Sequence, residues 1–383
     1  MTEGRETAWL RRAIWKADGV LTEGGMKTHQ QQWVALDVDT ASHLTCVVTA
    51  LRGPRTSLAS AYIRHSLAAG RWRLRLLEGA SWAEYCPPPR ECECAVPVPC
   101  TTRSGKEAVM SPTMERVSVN GAELEVDVQG SGEPIVFIHG SGIADSFLPV
   151  VIDPAVRDHY RTIRYRRRGY GGSSPVDGPF SVSDHAIDCR ALLGVLGVEK
   201  AHVVGQSYAG AVALQLAVNA PEVVATLALF EPALLAVPSA RQFSEALGPI
   251  FDRYGSGDRV GAVNAFFAAV GGADWRCHVG STVPGGLELA ENDAATVFES
   301  DLPSLQTWEF GAEEAAKINQ PVLYVLGSDS PPVFGEGRDL LHSWLPRTED
   351  AVLACATHML QMDRPADAAA ALADFLKRHP VAV

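Results

Sequence analysis

The pattern of hydrophobic and polar positions predicts alternating strands and helices from residue 114 onward. Residues 115–128 alternate apolar and polar positions around Asn120-Gly121, the strongest short signal for a β-hairpin. Continuous apolar runs bounded by turn residues follow, as is typical of strands buried on both faces of a parallel sheet. Segments with apolar residues at helical spacing separate these runs, which favours the α/β class with a doubly wound, mostly parallel sheet. The predicted strands are 134–138, a short strand from Tyr160, 201–205, 223–230 and 321–326, and the predicted helices include 184–196, 209–218 and 366–378.

The first 113 residues differ in composition from the rest of the chain. They hold 14 Lys and Arg against 11 Asp and Glu, whereas the remainder holds 19 against 34. They contain five of the 8 Trp and none of the 12 Phe. Residues 33–51 predict one or two strands, residues 57–77 a helix with an Arg-rich face, and residues 85–113 an irregular Pro-rich linker. We interpret residues 1–113 as an N-terminal extension of uncertain fold, with a small accessory domain as the alternative.

Overall composition and charge narrow the classes of function. Hydrophobic residues make up 46% of the chain and charged residues 20%, as in ordinary globular proteins. The net charge of -12 argues against nucleic acid or an anionic membrane as a partner. No apolar run approaches the roughly 18–20 residues that a membrane span needs, and the first 20 residues lack the apolar core of a signal peptide. We therefore expect a cytoplasmic protein, monomeric or homodimeric.

The cysteines do not suggest a metal centre. Cys92 and Cys94 are spaced C-x-C, whereas zinc knuckles usually carry C-x2-C pairs with a second pair of ligands nearby. We therefore expect no metal.

The segment Val203–Gly210, VVGQSYAG, is the decisive motif. It lies between a predicted strand and a predicted helix, where a nucleophile has a strained backbone and an exposed hydroxyl. Small residues at positions 205, 209 and 210 allow the turn and the neighbouring strand to approach closely. The start of the helix adds backbone N–H groups that favour a developing oxyanion. The motif indicates Ser207 as a nucleophile; the alternative is a Gly- and Ser-rich turn without chemistry.

Four motifs, in the order found here, resemble those of the α/β-hydrolase fold family. They are His139-Gly140 after a strand, the segment RGYGGS at 168–173, the Ser207 turn and the late His358. The resemblance covers residues 114–383, and the shared order is more specific than any single motif. It implies a serine esterase-like or lipase-like enzyme that needs no cofactor. Ala209 departs from the family's G-x-S-x-G pattern by replacing its second glycine.

The resemblance also implies a catalytic triad. A serine needs a histidine to take its proton and an acid to orient that histidine. The family's chain order of nucleophile, acid and base points to His358, in a loop after the last predicted strand. For the acid, Asp329, which follows the strand 321–326, is preferred. Glu231, which follows the strand 223–230, is the alternative.

An oxyanion hole is implied by the same resemblance. Its donors would be the backbone N–H of Tyr208, just after the nucleophile, and that of Ser141, with Gly142 next to it. His139 is expected to be structural, with hydrogen bonds to backbone beneath this loop.

About 90 residues separate Glu231 from the strand that precedes Asp329. An ordinary α/β connection has roughly 2–6 residues plus a helix, so we predict a helical cap, residues 232–316, between the core segments 114–231 and 317–383. Helical spacing is found at 241–254, 259–270 and 293–308. Such a cap is expected to supply an apolar pocket that excludes water. The candidate substrate-binding residues in it are Phe243, Phe266, Phe267 and Trp308.

The sequence thus predicts a serine hydrolase that cleaves a carboxylic ester or lactone of a small to medium hydrophobic substrate. The reaction would pass through an acyl-enzyme on Ser207, with the small molecule as the main partner. Carbon–carbon bond hydrolysis, cofactor-free perhydrolysis and acyl transfer on the same triad are alternatives. So is a non-catalytic relative that keeps the fold.

Overall fold

The computed structural model describes residues 114–381 in full and, within the first 113 residues, the backbone of several strands. The chain divides into two units, Met1–Glu93 and Cys94–Val383. In the first unit, the described strands form one four-stranded antiparallel sheet and one short two-stranded pair. The strands of the larger sheet are Trp33–Leu36, His43–Leu51, Leu58–Ser66 and Arg71–Glu78, in that order, and those of the pair are Leu21–Thr22 and Gly25–Met26.

The helix predicted for residues 57–77 is wrong. Leu58–Ser66 and Arg71–Glu78 are strands that pair antiparallel, with Ser66 opposite Arg71. The sequence RWRLRL from Arg71 to Leu76 alternates arginine with apolar residues, which is the period of a strand. The boundary at residue 113 and the linker 85–113 lie outside the described residues and stay predictions.

The second unit is built on a mostly parallel α/β sheet, as predicted, and this sheet has eight strands. Its strands are β1 (Glu115–Val119), β2 (Ala122–Gln129), β3 (Glu133–Ile138), β4 (Tyr160–Tyr165), β5 (Ala201–Gln206), β6 (Val224–Phe230), β7 (Val322–Gly327) and β8 (Glu349–Leu353). Across the sheet the order is β8-β7-β6-β5-β3-β4-β2-β1. The six strands from β3 to β8 are parallel, and β1 and β2 are antiparallel to their neighbours. The carboxyl ends of the parallel strands therefore meet at one edge, where α/β proteins place their ligand sites.

The described helices cover both faces of this sheet and fill the connection between β6 and β7. They are α1 (Leu148–Val151), α2 (Pro154–Arg157), α3 (Val182–Val195), α4 (Tyr208–Asn219), α5 (Ala240–Gly255), α6 (Arg259–Gly271), α7 (Trp275–Thr282), α8 (Gly286–Asn292), α9 (Leu302–Gln306), α10 (Ala312–Ala315), α11 (Pro332–Trp344), α12 (Leu360–Asp363) and α13 (Pro365–Arg378). A 3-10 turn, Pro221–Val223, follows α4, and a π-helix, Thr296–Asp301, leads into α9.

The central strand β5 explains why the core lies on both faces of the sheet. All six of its residues are buried. Val203 packs into the core on the side of α3 and α4, and Val204 into the core on the side of α1 and α13. Side chains alternate along a strand, so a strand covered on both faces must be apolar at consecutive positions. This explains the continuous apolar run in the sequence of β5.

The hairpin at the start of the unit is also confirmed. β1 and β2 pair antiparallel, with Val119 opposite Ala122. The two turn residues have positive φ, 49° at Asn120 and 74° at Gly121. Asn-Gly is favoured in such a turn because these residues tolerate the left-handed region.

The chain between β6 and β7 is helical, and we call residues 232–316 the helical insertion. The predicted helices 241–254 and 259–270 agree within a residue with α5 and α6. The segment 293–308 is broken instead into the π-helix and α9. The described short helices α7, α8 and α10 have no counterpart among the predictions.

Candidate active site

Ser207 lies on the sharp turn between β5 and α4. Its backbone has φ 54° and ψ -120°, a conformation that non-glycine residues rarely adopt. Hydrogen bonds hold this geometry: the Ser207 N–H donates to the Phe230 carbonyl at 3.0 Å, and the Ser207 carbonyl accepts from Gly210 and Ala233. Strain of this kind persists only where the surroundings impose it, and it is common at functional sites. The side chain is half-buried at the end of β5.

Small residues are needed around this turn, as expected. A Cβ atom on Gly205 would lie 2.3 Å from the Ala209 carbonyl oxygen, and one on Gly210 would lie 2.5 Å from Cβ of Pro232. Both distances are shorter than any real Cβ contact. A side chain at either position would force the surrounding backbone to shift, so the turn favours glycine there.

His358 is oriented by Glu231. Nδ1 of His358 lies 2.6 Å from Oε2 of Glu231, and both side chains are almost fully buried. The other carboxylate oxygen accepts a hydrogen bond from the Gly327 N–H at 2.6 Å. Glu231 has φ 48°, an uncommon value for glutamate, directly after β6. A carboxylate fixed in this way favours a proton on Nδ1, so that Nε2 of the imidazole can act as a base.

The preference for Asp329 as the partner of His358 is corrected by this geometry. Asp329 is exposed, its carboxylate accepts from the Ser328 hydroxyl at 2.8 Å, and its N–H donates to the Ala356 carbonyl. At the end of β7, the Gly327 N–H donates to the Glu231 carboxylate. Glu231, the alternative in the sequence, is the acid that contacts His358.

The imidazole of His358 is also held by packing. The Phe334 ring stacks on it, with ring centroids 3.8 Å apart and planes 9° from parallel. The His358 N–H donates to the Val270 carbonyl of α6, and the side-chain amide of Gln206 donates to the His358 carbonyl at 3.2 Å. These contacts fix the loop that carries the histidine.

The structure places two unpaired backbone N–H groups next to Ser207. Ser141 and Tyr208 both line the cavity at Ser207, and among the described residues neither N–H donates a hydrogen bond. Gly142 differs, because its N–H donates to the Tyr170 hydroxyl at 3.2 Å. Of the three predicted oxyanion-hole residues, Gly142 thus has its N–H engaged by Tyr170, and the oxyanion hole itself stays a prediction.

A buried ion pair joins the helical insertion to the loop after β4, and its carboxylate also contacts the loop that carries Ser141. Arg167 and Asp301 are fully buried, and Nη2 of the arginine lies 2.7 Å from Oδ2 of the aspartate. The same oxygen accepts from the Ser141 hydroxyl at 2.7 Å and from the Tyr170 hydroxyl at 2.5 Å. Burial alone would raise the pKa of Asp301, but the charge of Arg167 and the hydrogen bonds hold it well below its ordinary value. The carboxylate is therefore ionised and braces the loop.

His139 supports the same loop from beneath, as expected. Its Nδ1 lies 2.7 Å from the Gly140 carbonyl oxygen, and its Nε2 accepts from the Arg167 N–H at 3.0 Å. Burial and the neighbouring Arg167 charge lower the pKa of His139 well below its ordinary value. The ring is neutral, with its proton on Nδ1, and it acts as a structural hydrogen-bonding group.

A mostly apolar cavity of about 70 Å³ opens beside Ser207. Ser207, His358, Ser141 and Tyr208 all line it, and none of its lining residues is Lys, Arg, Asp or Glu. Three of the four aromatic residues predicted to bind substrate line it too, and these are Phe243, Phe266 and Phe267.

Trp308, the fourth, is corrected. It does not line the cavity. Its Nε1 donates to the Gln215 side chain at 2.8 Å, and its ring stacks on Phe310 at 5.0 Å. It packs the helical insertion against the outer side of α4.

Metal-ligand clusters and membrane spans are both absent from the described part of the chain. Among those residues, no group of three or more His, Cys, Asp or Glu side chains could hold a metal ion. No helix in residues 114–381 combines the length and apolar character needed to cross a membrane.

The sequence model of the alpha/beta hydrolase family matches residues 135–372 of this chain, which is more than half of its length. The chain belongs to the alpha/beta hydrolase family. The matched residues run from β3 into α13 and include Ser207, Glu231 and His358.

Individual relatives match this chain over shorter stretches. One is the dihydrolipoyllysine-residue acetyltransferase component of the acetoin cleaving system of Cupriavidus necator, 37% identical over 116 residues, or 30% of each chain. The matches to the first curated relatives span 30–48% of those proteins' lengths.

Solved structures share the fold over a longer stretch. A thermophilic esterase from Thermogutta terrifontis superposes with a TM-score of 0.58 at 20% identity, covering 70% of this chain and 100% of the esterase. The enol-lactonase from Burkholderia xenovorans LB400 gives a TM-score of 0.54 at 21% identity, covering 69% of this chain and 100% of the lactonase. At identities of 20–21%, these two structures show that the fold is shared and nothing about activity.

Proposed function

We propose that this protein is a serine hydrolase that cleaves a carboxylic ester or lactone through an acyl-enzyme on Ser207. One observation carries the proposal: a strained serine, a histidine paired with a buried carboxylate and two unpaired N–H groups meet at one cavity. These are the nucleophile, base, orienting acid and oxyanion donors that acyl transfer requires. Among solved structures of the same fold are an esterase and an enol-lactonase.

In the proposed reaction, Ser207 Oγ attacks the substrate carbonyl carbon while Nε2 of His358 takes the hydroxyl proton. Glu231 keeps the other imidazole proton on Nδ1 and stabilises the imidazolium that forms. The Ser141 and Tyr208 N–H groups bind the tetrahedral oxyanion. His358 then gives its proton to the departing alkoxide, and the ester C–O bond breaks.

The second half of the reaction releases the acyl group. Water loses a proton to His358 and attacks the acyl-enzyme carbonyl, with the oxyanion bound by the same two N–H groups. The bond to Ser207 Oγ breaks, His358 returns its proton to the serine, and the carboxylic acid leaves. For a lactone, the alcohol and the acid leave as one molecule.

The cavity favours a small, uncharged substrate. Its lining is mostly apolar and contains no Lys, Arg, Asp or Glu, and a charge placed there would lose its hydration without a partner. A volume of about 70 Å³ fits a short acyl chain or a small lactone better than a long fatty acyl chain.

The test is hydrolysis of p-nitrophenyl esters from acetate to laurate. We expect turnover by the wild type with an optimum at short chains, and loss of at least about 10³-fold in Ser207→Ala. Ser343→Ala, which removes an exposed hydroxyl on α11, is the matched control and should retain full activity. Equal turnover by the wild type and Ser207→Ala, or a folded wild type that cleaves none of the esters, would overturn the proposal.

A further inference from the structure

Two buried polar side chains in the cavity have no part in the proposed chemistry. Gln361 is fully buried and Ser146 is 2% exposed, and both line the cavity at Ser207. Among the described residues, neither the Gln361 amide oxygen, nor its amide nitrogen, nor the Ser146 hydroxyl has a hydrogen-bond partner. Buried polar groups in folded proteins are almost always paired, so an unpaired set in a ligand cavity calls for an explanation.

The two side chains belong to neighbouring parts of the cavity wall. Gln361 is on α12, three residues after His358, and α12 packs against α1. Ser146 is two residues before α1. Both are therefore on the wall formed where the histidine loop meets α1, and the aromatic residues Phe266 and Phe267 come from the helical insertion.

Gln361 interrupts an apolar run of the chain. The residues on either side of Gln361 are Leu360 and Met362, both buried and apolar. An apolar side chain at position 361 would continue that packing without any unpaired atoms. A glutamine there is unfavourable unless hydrogen-bond partners from outside the protein chain, such as groups of a bound substrate, satisfy its amide.

We propose that Gln361 and Ser146 form a subsite for a neutral carboxamide carried by the substrate. This inference rests on the proposed function and specifies its substrate class: esters or lactones with an amide within a few bonds of the reacting carbonyl. A glutamine amide offers an acceptor oxygen and N–H donors, and a serine hydroxyl offers both roles. A substrate amide has the complementary N–H donor and carbonyl acceptor. A carboxylate or an ammonium group fits poorly, because no residue of opposite formal charge lines the cavity.

Binding to the Ser207→Ala variant tests the subsite without requiring turnover. The probes are three methyl esters with an amide at different distances from the ester carbonyl: methyl acetamidoacetate, methyl 3-acetamidopropanoate and methyl 4-acetamidobutanoate. Each is compared with the straight-chain ester of the same chain length, namely methyl pentanoate, hexanoate or heptanoate. Dissociation constants are measured by ligand-observed NMR titration.

We expect at least one amide ester to bind about tenfold or more tightly than its alkyl counterpart. That preference should fall to about twofold or less when Gln361→Met is added, because methionine fills a similar volume without hydrogen-bonding groups. Gln215→Met, the same change on α4 outside the cavity, is the matched control and should keep the preference. Ser146→Ala should reduce the preference in part.

Three results would overturn the subsite: no preference for any amide, a preference unchanged in Gln361→Met, or no detectable binding of any ester of the set. The proposed function is judged separately by turnover of p-nitrophenyl esters in the wild type. Turnover without an amide preference rejects the subsite alone. An amide preference in a protein that turns over no ester supports the subsite and rejects the hydrolase.

Discussion

The carboxylate of Glu231 lies 2.6 Å from Nδ1 of His358, although 127 residues separate the two along the chain. Glu231 follows strand β6, whereas the acid preferred from the sequence follows β7. The carboxyl ends of these neighbouring parallel strands lie side by side, so either could deliver an acid to the same place. The structure assigns the contact to the earlier strand, and the assignment can be tested.

Glu231→Gln is expected to lower kcat by about 10³- to 10⁴-fold with little change in KM. The amide keeps the shape of the side chain but no longer favours the imidazole tautomer with its proton on Nδ1. Asp329→Asn, the matched change on the neighbouring strand, should alter kcat less than about threefold. Steady-state kinetics on p-nitrophenyl acetate measure both. A large loss in Asp329→Asn with normal activity in Glu231→Gln would reverse the assignment.

The buried Arg167–Asp301 pair should be a major contributor to stability. Asp301→Asn leaves the arginine charge buried without its partner, which is expected to cost about 3–5 kcal/mol of the free energy of unfolding. Urea denaturation followed by circular dichroism measures this loss. The control is Glu245→Gln, which breaks the exposed Arg241–Glu245 pair and should cost less than about 0.5 kcal/mol. Similar small losses in both variants would show that the buried pair does not anchor the insertion.

Gly142→Ala should impair catalysis through the loop that carries Ser141. Gly142 has φ 85°, and a Cβ atom there would lie 2.5 Å from Cζ of Phe267. Displacement of the loop should lower kcat/KM about 10- to 100-fold. Gly178→Ala is a matched control, because Gly178 has φ 78° but no atom within 4 Å of the added Cβ. If both variants lowered kcat/KM equally, the loss would come from backbone strain at a positive φ and not from displacement of the loop.

Asp293 of the helical insertion is expected to make stability depend on pH. Its carboxylate accepts from the Gly171 N–H, and burial raises its pKa from an ordinary value near 3.8 to about 6, against opposing effects of that hydrogen bond and of Arg166. The folded state then binds the proton more tightly than the unfolded state. The contribution of the protonated Asp293 carboxyl group to the free energy of unfolding is therefore full below about pH 4 and is lost as the pH rises through about 6.

Asp293→Asn tests this expectation. It should be more stable than the wild type at pH 7.5, on the order of 1–3 kcal/mol, and nearly equal to it at pH 4. The exposed Asp177→Asn should show no such difference between the two pH values. Urea denaturation at both pH values measures the effect. A variant that is less stable than the wild type at pH 7.5 would contradict it.

Local patterns were sufficient to predict the hairpin, the parallel strands and the turn at Ser207. Each depends on residues close together in sequence: Asn120-Gly121, the consecutive apolar residues of β5, and the glycines at 205 and 210. The physical constraint in each case is local backbone geometry or burial on both faces of the sheet. His358 could be placed because it follows the last strand of the same fold.

Contacts between distant elements could not be predicted in the same way. Whether Glu231 or Asp329 reaches His358 depends on the backbone after each strand, including φ 48° at Glu231, which no sequence pattern reveals. Asp301 is 134 residues from Arg167, and nothing in the local sequence marks it as a buried partner. An aromatic residue such as Trp308 can face either the cavity or the core. Which of the two it faces depends on how the helices of the insertion pack, and the sequence pattern does not show that.

The most direct test of the central claim is covalent capture of Ser207 by a fluorophosphonate, located by peptide mass spectrometry. We expect one phosphonyl adduct per chain, on the peptide that contains Ser207, with no adduct in folded Ser207→Ala and much slower labelling in Glu231→Gln. An adduct on another residue, or an unlabelled but folded wild type, would contradict the claim that Ser207 is the nucleophile.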